Sequence, residues 1–362
     1  MGSLHKILFL LFCFNALVPS RAAAQEKWAS PETAEMYRQA QEYMAMKNYH
    51  EAVIIYNHVL GQEPGKATLY KELGMAQHLY GNDEDAEKTL RALPGNAATD
   101  AAYFELLAVV QAAQNKMKEA RATIRKGYTF YSGSGLLYDE AAKIAVQGGD
   151  SEEALQYWLS GIEADPLYAP SYYSAARTYL RSGDVLWGLV YAEMYLDIPH
   201  DTSSDDELKK LLFDGYKKMF DNSANAGGLQ NGKNKRRAAS PGFKEQVSAV
   251  YTPLFAVIAD GNNAENLTML RARFIIDWFP ANDKKYPFSL FRYQDIMIRN
   301  GYFDMYNQWL FGKASNSAEY DAWNKFHDGD MARFKEWKNA HPLIPLKSDF
   351  YNDKDTKAVF RG

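Results

Sequence analysis

A period of 34 residues constrains this chain more than any other feature of it. Small residues recur at Ala52, Ala86, Ala120, Ala154 and Gly188, every step being 34 residues. A second register runs through Ala40, Gly74, Ala108, Ala142 and Ala176, and a third, always bulky, through Met36, Tyr70, Phe104, Tyr138 and Tyr172. Three registers in phase over five units predict a supersecondary element stacked on copies of itself, since so short a unit cannot bury its apolar face alone.

Each unit reads as two short helices. The first, as over 32–46 or 136–146, carries apolar residues at i, i+3, i+4 and i+7, the spacing of one buried helical stripe. Breaks follow at Lys47-Asn48, Gly81-Asn82, Asn115-Lys116, Gly149-Asp150 and Gly183-Asp184, where Gly or Asn can take the left-handed conformation that stops a helix. The second helix sets its small residue against a bulky one four further on, Tyr56, Leu90, Ile124 or Trp158. An alanine there lets two helices approach, and the large neighbour fills the space beside it.

At these residues the sequence resembles the tetratricopeptide repeat family. Residues 135–168 carry Tyr138, Ala141, Ala142, Gly149-Asp150, Ala154, Trp158 and Pro166 on family positions, and residues 33–66 carry Ala40, Tyr43, Tyr49, Ala52, Tyr56 and Pro64. Five units cover 33–202. The second has Pro94 ahead of the usual closing proline, the third has none, and the fifth has Gly188 and Ala192 where alanine and an aromatic are usual. The resemblance implies an all-α fold, a TPR-type helix-turn-helix solenoid, whose first helices line a concave groove for a protein or peptide partner. The family's groove positions fall here on Tyr37, Gln41 and Met44; Lys71, Met75 and His78; Glu105, Val109 and Ala112; Asp139, Lys143 and Val146; and Tyr173, Arg177 and Arg181. Rigid rings, adaptable methionines and charges of both signs suit an extended polypeptide. Packing of some of these positions against the C-terminal region is the alternative.

A stack of repeats needs a terminal cap with one polar face. Residues 203–220 supply it as a capping helix, with Leu208, Leu211, Leu212 and Tyr216 on one side and Ser203 or Ser204 as N-cap. Residues 221–242 are rich in Gly, Asn and Ser and read as a flexible linker. Within it, Lys233, Lys235, Arg236 and Arg237 could form an anion patch; a calcium loop is excluded, because Ala226 stands where the turn glycine belongs and Gly232 at the twelfth position.

Beyond the linker the 34-residue phase is lost, and residues 243–340 form a second, aromatic-rich helical region. Helices are expected over 243–259, 264–279, 289–300, 302–311, 318–326 and 331–339, with 288–311 as a degenerate repeat. Residues 341–362 read as an extended tail. The rings Tyr302, Tyr306 and Trp309, and Tyr320, Trp323 and Phe326, are spaced by three and four, as core faces are. The alternative is that they form a glycan-binding surface of an envelope protein.

The amino terminus reads as an address label. His5 and Lys6, an apolar run from Ile7 to Val18 and Ala22-Ala23-Ala24 follow the order of a cleaved signal peptide, residues 1–24. The run is too short for the roughly 20 residues that span a bilayer, and no transmembrane segment is expected elsewhere. The single cysteine, Cys13, would leave with it, so no disulfide holds the remainder and the bacterial periplasm or cell surface is the expected location. A net charge of −4 provides no basic field for nucleic acid, and removal of Lys6 and Arg21 makes the balance more acidic. No nucleophile elbow, phosphate loop, dinucleotide fingerprint or zinc motif occurs, so no catalytic residue, metal or cofactor is assigned and the chain is read as not an enzyme. Neither the partner's identity nor the oligomeric state can be read from it.

Overall fold

The computed structural model describes residues 28–93, 99–226, 242–258 and 263–353; the expected signal peptide and Pro94 lie outside them. The described residues are helical and contain no strand. The chain divides into two compact units, Met1–Tyr131 and Ser132–Gly362. The division falls inside the repeat array, not between the repeats and the aromatic region.

The N-terminal unit holds three helix pairs: α1 (Pro31–Ala45) with α2 (Tyr49–Gln62), α3 (Ala67–Tyr80) with α4 (Asp83–Arg91), and α5 (Ala101–Ala113) with α6 (Met117–Phe130). The turns explain why the pairs form. Lys47, Gly81 and Asn115 take φ of 59°, 95° and 61°, and at each the chain reverses with the same two hydrogen bonds, for example Gly81 N to His78 O (2.9 Å) and Asn82 N to Gln77 O (2.8 Å). Ser30 caps α1 through Thr33 N (3.1 Å), and Asp100 caps α5 through Tyr103 N (2.9 Å). The small registers are fully buried at Ala40, Ala52, Ala86 and Ala120. At Gly74 a Cβ would lie 2.8 Å from Leu90 Cγ, so any larger residue would have to displace that side chain.

Glu87 ties α4 to the third pair. Its carboxylate accepts from Lys116 Nζ (2.7 Å), Gln111 Nε2 (3.1 Å), Gln114 Nε2 (3.0 Å) and Arg91 Nε (2.9 Å). Burial alone would raise its pKa, but the Lys116, Gln111, Arg91 and Gln114 bonds outweigh it and hold the carboxyl down at about 2. Because the folded value lies below the ordinary one of 4.5, the stabilisation is complete above about pH 5 and disappears as pH falls towards 2. In chemical denaturation, the stability gap between the wild type and Glu87→Gln is therefore expected to shrink by about 2 kcal/mol from pH 6 to pH 2.5. An unchanged gap would refute this role.

The C-terminal unit begins with the last two pairs, α7 (Gly135–Gln147) with α8 (Ser151–Ala164) and α9 (Ala169–Ser182) with α10 (Val185–Asp197). Their turns use Gly149 (φ 86°) and Gly183 (φ 89°). The atypical Gly188 has a reason, because a Cβ there would meet Leu180 Cγ at 2.5 Å. α10 reads VLWGLVYAEMYLD and is buried on every side, as a helix without a polar stripe must be. The rest of this unit packs around it.

α11 spans Asp205–Ala226, six residues beyond the expected cap and into the expected linker; the run 221–226 contains no glycine or proline to end it. Ser204, one of the two expected N-cap residues, immediately precedes its first residue. A 3-10 turn over Thr202–Ser204 precedes it, with Asp201 accepting from Ser203 N (2.8 Å). The remainder of the expected linker, 227–241, lies outside the described residues.

α12 (Phe243–Tyr251) tightens to a 3-10 helix over Thr252–Ile258, where Pro253 cannot donate to an α-helical bond. α13 (Ala264–Asn282) runs through Pro280 to end three residues later than expected. α14 (Ser289–Arg299) and α15 (Phe303–Asn307) are joined at Gly301 (φ 72°) by the repeat's own turn, Gly301 N to Ile298 O (3.1 Å) and Tyr302 N to Met297 O (2.9 Å), as a degenerate repeat should be. After α15 come a π-helical turn (Gln308–Gly312) and the short α16 (Lys313–Ser315).

The helices expected over 318–326 and 331–339 follow one another in α17 (Ser317–Ala340), where two helices meet at a kink at His327, whose backbone is not helical (φ −123°, ψ 16°). His327 Nδ1 hydrogen bonds to Trp323 O (2.9 Å) at the kink, two residues before Gly329. The tail then lies along the unit: Leu343 N donates to Asp197 O (3.1 Å), Leu346 N to Ser289 Oγ (3.2 Å) and Tyr191 OH to Tyr351 O (2.7 Å).

Candidate partner-binding surface

The first helices of the repeats carry the expected groove residues, and the structure sorts these into open and closed positions. In the N-terminal unit Tyr37, Gln41, Met44, Lys71, Met75 and His78 are all half-buried, with part of each side chain at the surface. Tyr37 OH donates to Glu72 Oε1 (2.7 Å) and accepts from Gln41 Nε2 (3.0 Å), which joins α1 to α3. The Trp28 ring lies 4.5 Å from that of Tyr37, and Lys66 Nζ sits 4.5 Å from the Trp28 centroid. Lys71 pairs with Asp100 (2.5 Å) and His78 with Asp83 (2.5 Å). Met44 and Met75 lean on the two apolar clusters beneath them.

The third repeat closes. Glu105, Val109 and Ala112 are buried, Val109 to 1% exposure, because α5 (AAYFELLAVVQAA) lacks a polar face. Asp139, at 2% exposure, is a structural group of the fourth repeat. It accepts from Trp158 Nε1 (2.9 Å), an indole N–H that needs a partner when buried, and pairs with Lys143 Nζ (2.9 Å). Glu105, Val109 and Asp139 therefore present nothing to a partner, whereas Lys143 is half-exposed and Val146 exposed.

In the fifth repeat the capping helix is engaged. Tyr173 OH donates to Glu207 Oε2 (3.0 Å), Arg177 pairs with Glu207 Oε1 (3.2 Å), and the Arg177 guanidinium lies 5.1 Å from the Tyr173 centroid. Burial raises the Tyr173 pKa first, and the bond to Glu207 adds to it. Arg181 is exposed. Trp28, Lys66 and Glu72 complete the open surface without having been singled out in the sequence. Trp28 precedes the first unit, where no periodicity reaches, and the other two occupy no family groove position.

Most of the C-terminal aromatics are core: Phe274, Trp278, Tyr306, Phe311 and Phe334 are fully buried. The first half of α17 differs, with Phe326 86% exposed and the Tyr320, Trp323 and His327 rings stacked in a row. In the interior of the C-terminal unit two carboxylates lie close together, Glu193 and Asp197 on α10. Glu193 accepts from Tyr216 OH (3.0 Å) and Gln294 Nε2 (2.7 Å) and pairs with Arg271. Asp197 accepts from Tyr306 OH (2.6 Å) and pairs with Lys338 (3.4 Å). Burial pushes both carboxyls up against these partners, and the enclosed, cross-bonded arrangement binds helices to one another. Among the described residues no group of His, Cys, Asp or Glu is arranged to hold a metal, and no helix is long and apolar enough to cross a membrane.

In each unit, fold and surface together define paired helices of solenoid type with open first-helix positions. Residues 43–110, within the repeat array, match the family model described as tetratricopeptide repeat, which supports the assignment of the array to that family. No curated protein matches. Similar solved structures include a tetratricopeptide repeat protein from Parabacteroides merdae ATCC 43184 (12% identity over 76% of this chain and 100% of that one, TM-score 0.39). PilF of Pseudomonas aeruginosa is 12% identical over 54% of this chain and 87% of its own, with a TM-score of 0.43. YrrB, titled a TPR protein with an unusual peptide-binding site, is 18% identical over 48% and 87%, with a TM-score of 0.33.

Proposed function

We propose that this protein is a non-enzymatic, exported scaffold that binds a protein or peptide segment on the first helices of its repeats. The observation that carries the reading is the open surface of α1 and α3. Tyr37 and Trp28 offer ring faces, Met44 and Met75 adaptable apolar contact, and Lys66, Lys71 and Glu72 charges of both signs. Such a surface suits an extended polypeptide with apolar side chains and mixed charge. Export follows from the leader read at residues 1–24, and with it a periplasmic or cell-surface location.

The test compares capture from a cell-envelope extract by the wild type and by Tyr37→Ala/Lys71→Ala. A central aromatic and a charged anchor together are expected to weaken capture by at least tenfold. Equal capture by both chains, with circular dichroism unchanged, would remove the groove assignment. Retention of glycans instead, lost on Trp323→Ala, would move the function to the row of stacked rings on α17.

A further inference from the structure

Residues 342–353 lie in a groove of the C-terminal unit in the way that a bound peptide would. The groove is formed by α8, α9, α10 and the start of α14, and the segment crosses it with one 3-10 turn, Lys347–Asp349, as its only regular structure. Side chains of the groove hold the main chain of the tail. Tyr191 OH donates to Tyr351 O (2.7 Å), and Ser289 Oγ accepts from Leu346 N (3.2 Å). Such bonds supply affinity for any extended chain, and selectivity must come from side-chain pockets.

Two contacts supply it. The Tyr351 ring sits in a box of three others, face to face with Phe243 (4.2 Å, 2°) and edge-on to Phe288 (6.0 Å, 61°) and Tyr286 (6.3 Å, 66°). Two residues later the Asp353 carboxylate accepts from Tyr179 OH. The groove therefore reads an aromatic residue followed, at the second position, by an acid.

The tail fills this groove incompletely. Ile344 and Leu346 stay 55% and 51% exposed. A cavity of about 20 Å³ remains between Ile162, Tyr172 and Met194 of the body and Leu346 and Phe350 of the tail, room for about one water. The atoms lining such a void lack the dispersion contacts that a larger side chain would give them. A second copy of the chain would bring the same tail and leave the same void, whereas a different polypeptide with a larger apolar residue at that place would fill it.

We propose that this groove is a second peptide-binding site, separate from the surface of α1 and α3 and plugged in the free protein by the chain's own tail. Its ligand is an extended segment of another protein, apolar at first and ending in an aromatic residue with an acid two positions on. The tethered tail competes at the millimolar effective concentration of a short linker, so a ligand binds in proportion to the fraction of chains whose tail is out.

The test titrates a fluorescein-labelled peptide of residues 342–353 into the full chain and follows its anisotropy. Tyr351→Ala/Asp353→Ala, whose tail has lost both side-chain anchors, is expected to bind the peptide at least tenfold more tightly than the wild type does. Circular dichroism checks that this variant is folded. The same two replacements made in the peptide should weaken its binding to the variant by at least tenfold. A peptide carrying Leu346→Phe should bind more tightly than the natural sequence. Equal binding by wild type and variant, binding by neither, or a peptide without ring and acid that binds as well as the intact one overturns the assignment. Weaker binding of the Leu346→Phe peptide would give the groove to the tail of a second copy instead.

Discussion

Replacing Arg271 by methionine is expected to lower the stability of the C-terminal unit by about 3–5 kcal/mol, the penalty for leaving a buried charge without its partner. Arg271 is 1% exposed and donates to Glu193 and to Asn307. Its guanidinium lies within 5.1 to 5.8 Å of the Phe311, Tyr306, Phe303 and Tyr216 ring centroids, so water cannot take its place. Without it Glu193 retains only neutral donors, from Tyr216, Gln294 and Tyr306. Burial already pushes the Glu193 carboxyl upward, with Arg271 opposing. In the variant the folded state therefore binds a proton that the unfolded state releases, and stability falls as pH rises above the ordinary carboxylate range. Urea unfolding at pH 5 and pH 8 measures both effects. The loss should be larger at pH 8, and adding Glu193→Gln should recover most of it. A loss below about 1 kcal/mol at pH 8 would mean that the pair contributes little.

The repeats were legible because one period encodes packing and turns together. The 34-residue step fixes a buried alanine or glycine in each second helix, and it also places Lys47, Gly81, Asn115, Gly149 and Gly183 at the left-handed position of every turn. The same turn recurs at Gly301, outside the period. The closed positions of the groove were less legible, since family positions describe a helix with one face free. α5 and α10 have no free face, and their sequences show it: neither carries a polar stripe, and Glu193 and Asp197 stand four apart in an otherwise apolar α10. An acid pair in such a helix calls for buried cations, but nothing local names Arg271 or Lys338 as their source. The tail was readable as extended chain and not as to its destination. Tyr179 reaches Asp353 across 174 residues of sequence, a contact that only the folded unit creates.

Phe243→Ala carries the second large effect, because one ring joins three parts of the C-terminal unit. Phe243 is the first residue of α12, and its ring stacks on Tyr351 of the tail at 4.2 Å and 2°. It also meets Trp187 of α10 at 5.8 Å, Phe288 at 5.1 Å and Trp278 of α13 at 5.9 Å. Truncating a buried phenylalanine costs about 3–5 kcal/mol, the upper part applying where rigid neighbours cannot collapse into the space. Here the neighbours are rings fixed by one another, as Phe274 and Phe291 are by Trp278 at 5.6 and 5.1 Å, so the cavity should persist. The same substitution removes the face on which Tyr351 rests, which leaves the tail held by its hydrogen bonds to Tyr191, Tyr179, Ser289 and Asp197. Limited proteolysis should therefore cut within 342–353 much sooner in Phe243→Ala than in the wild type. Tyr351→Ala separates the two consequences: it should free the tail with a stability loss of about 1–2 kcal/mol, since its ring is only half-buried. If Phe243→Ala destabilises the unit but leaves the tail as protected as before, the Tyr351 stack does not hold the tail, and its protection comes from the hydrogen bonds to Tyr191, Tyr179, Ser289 and Asp197.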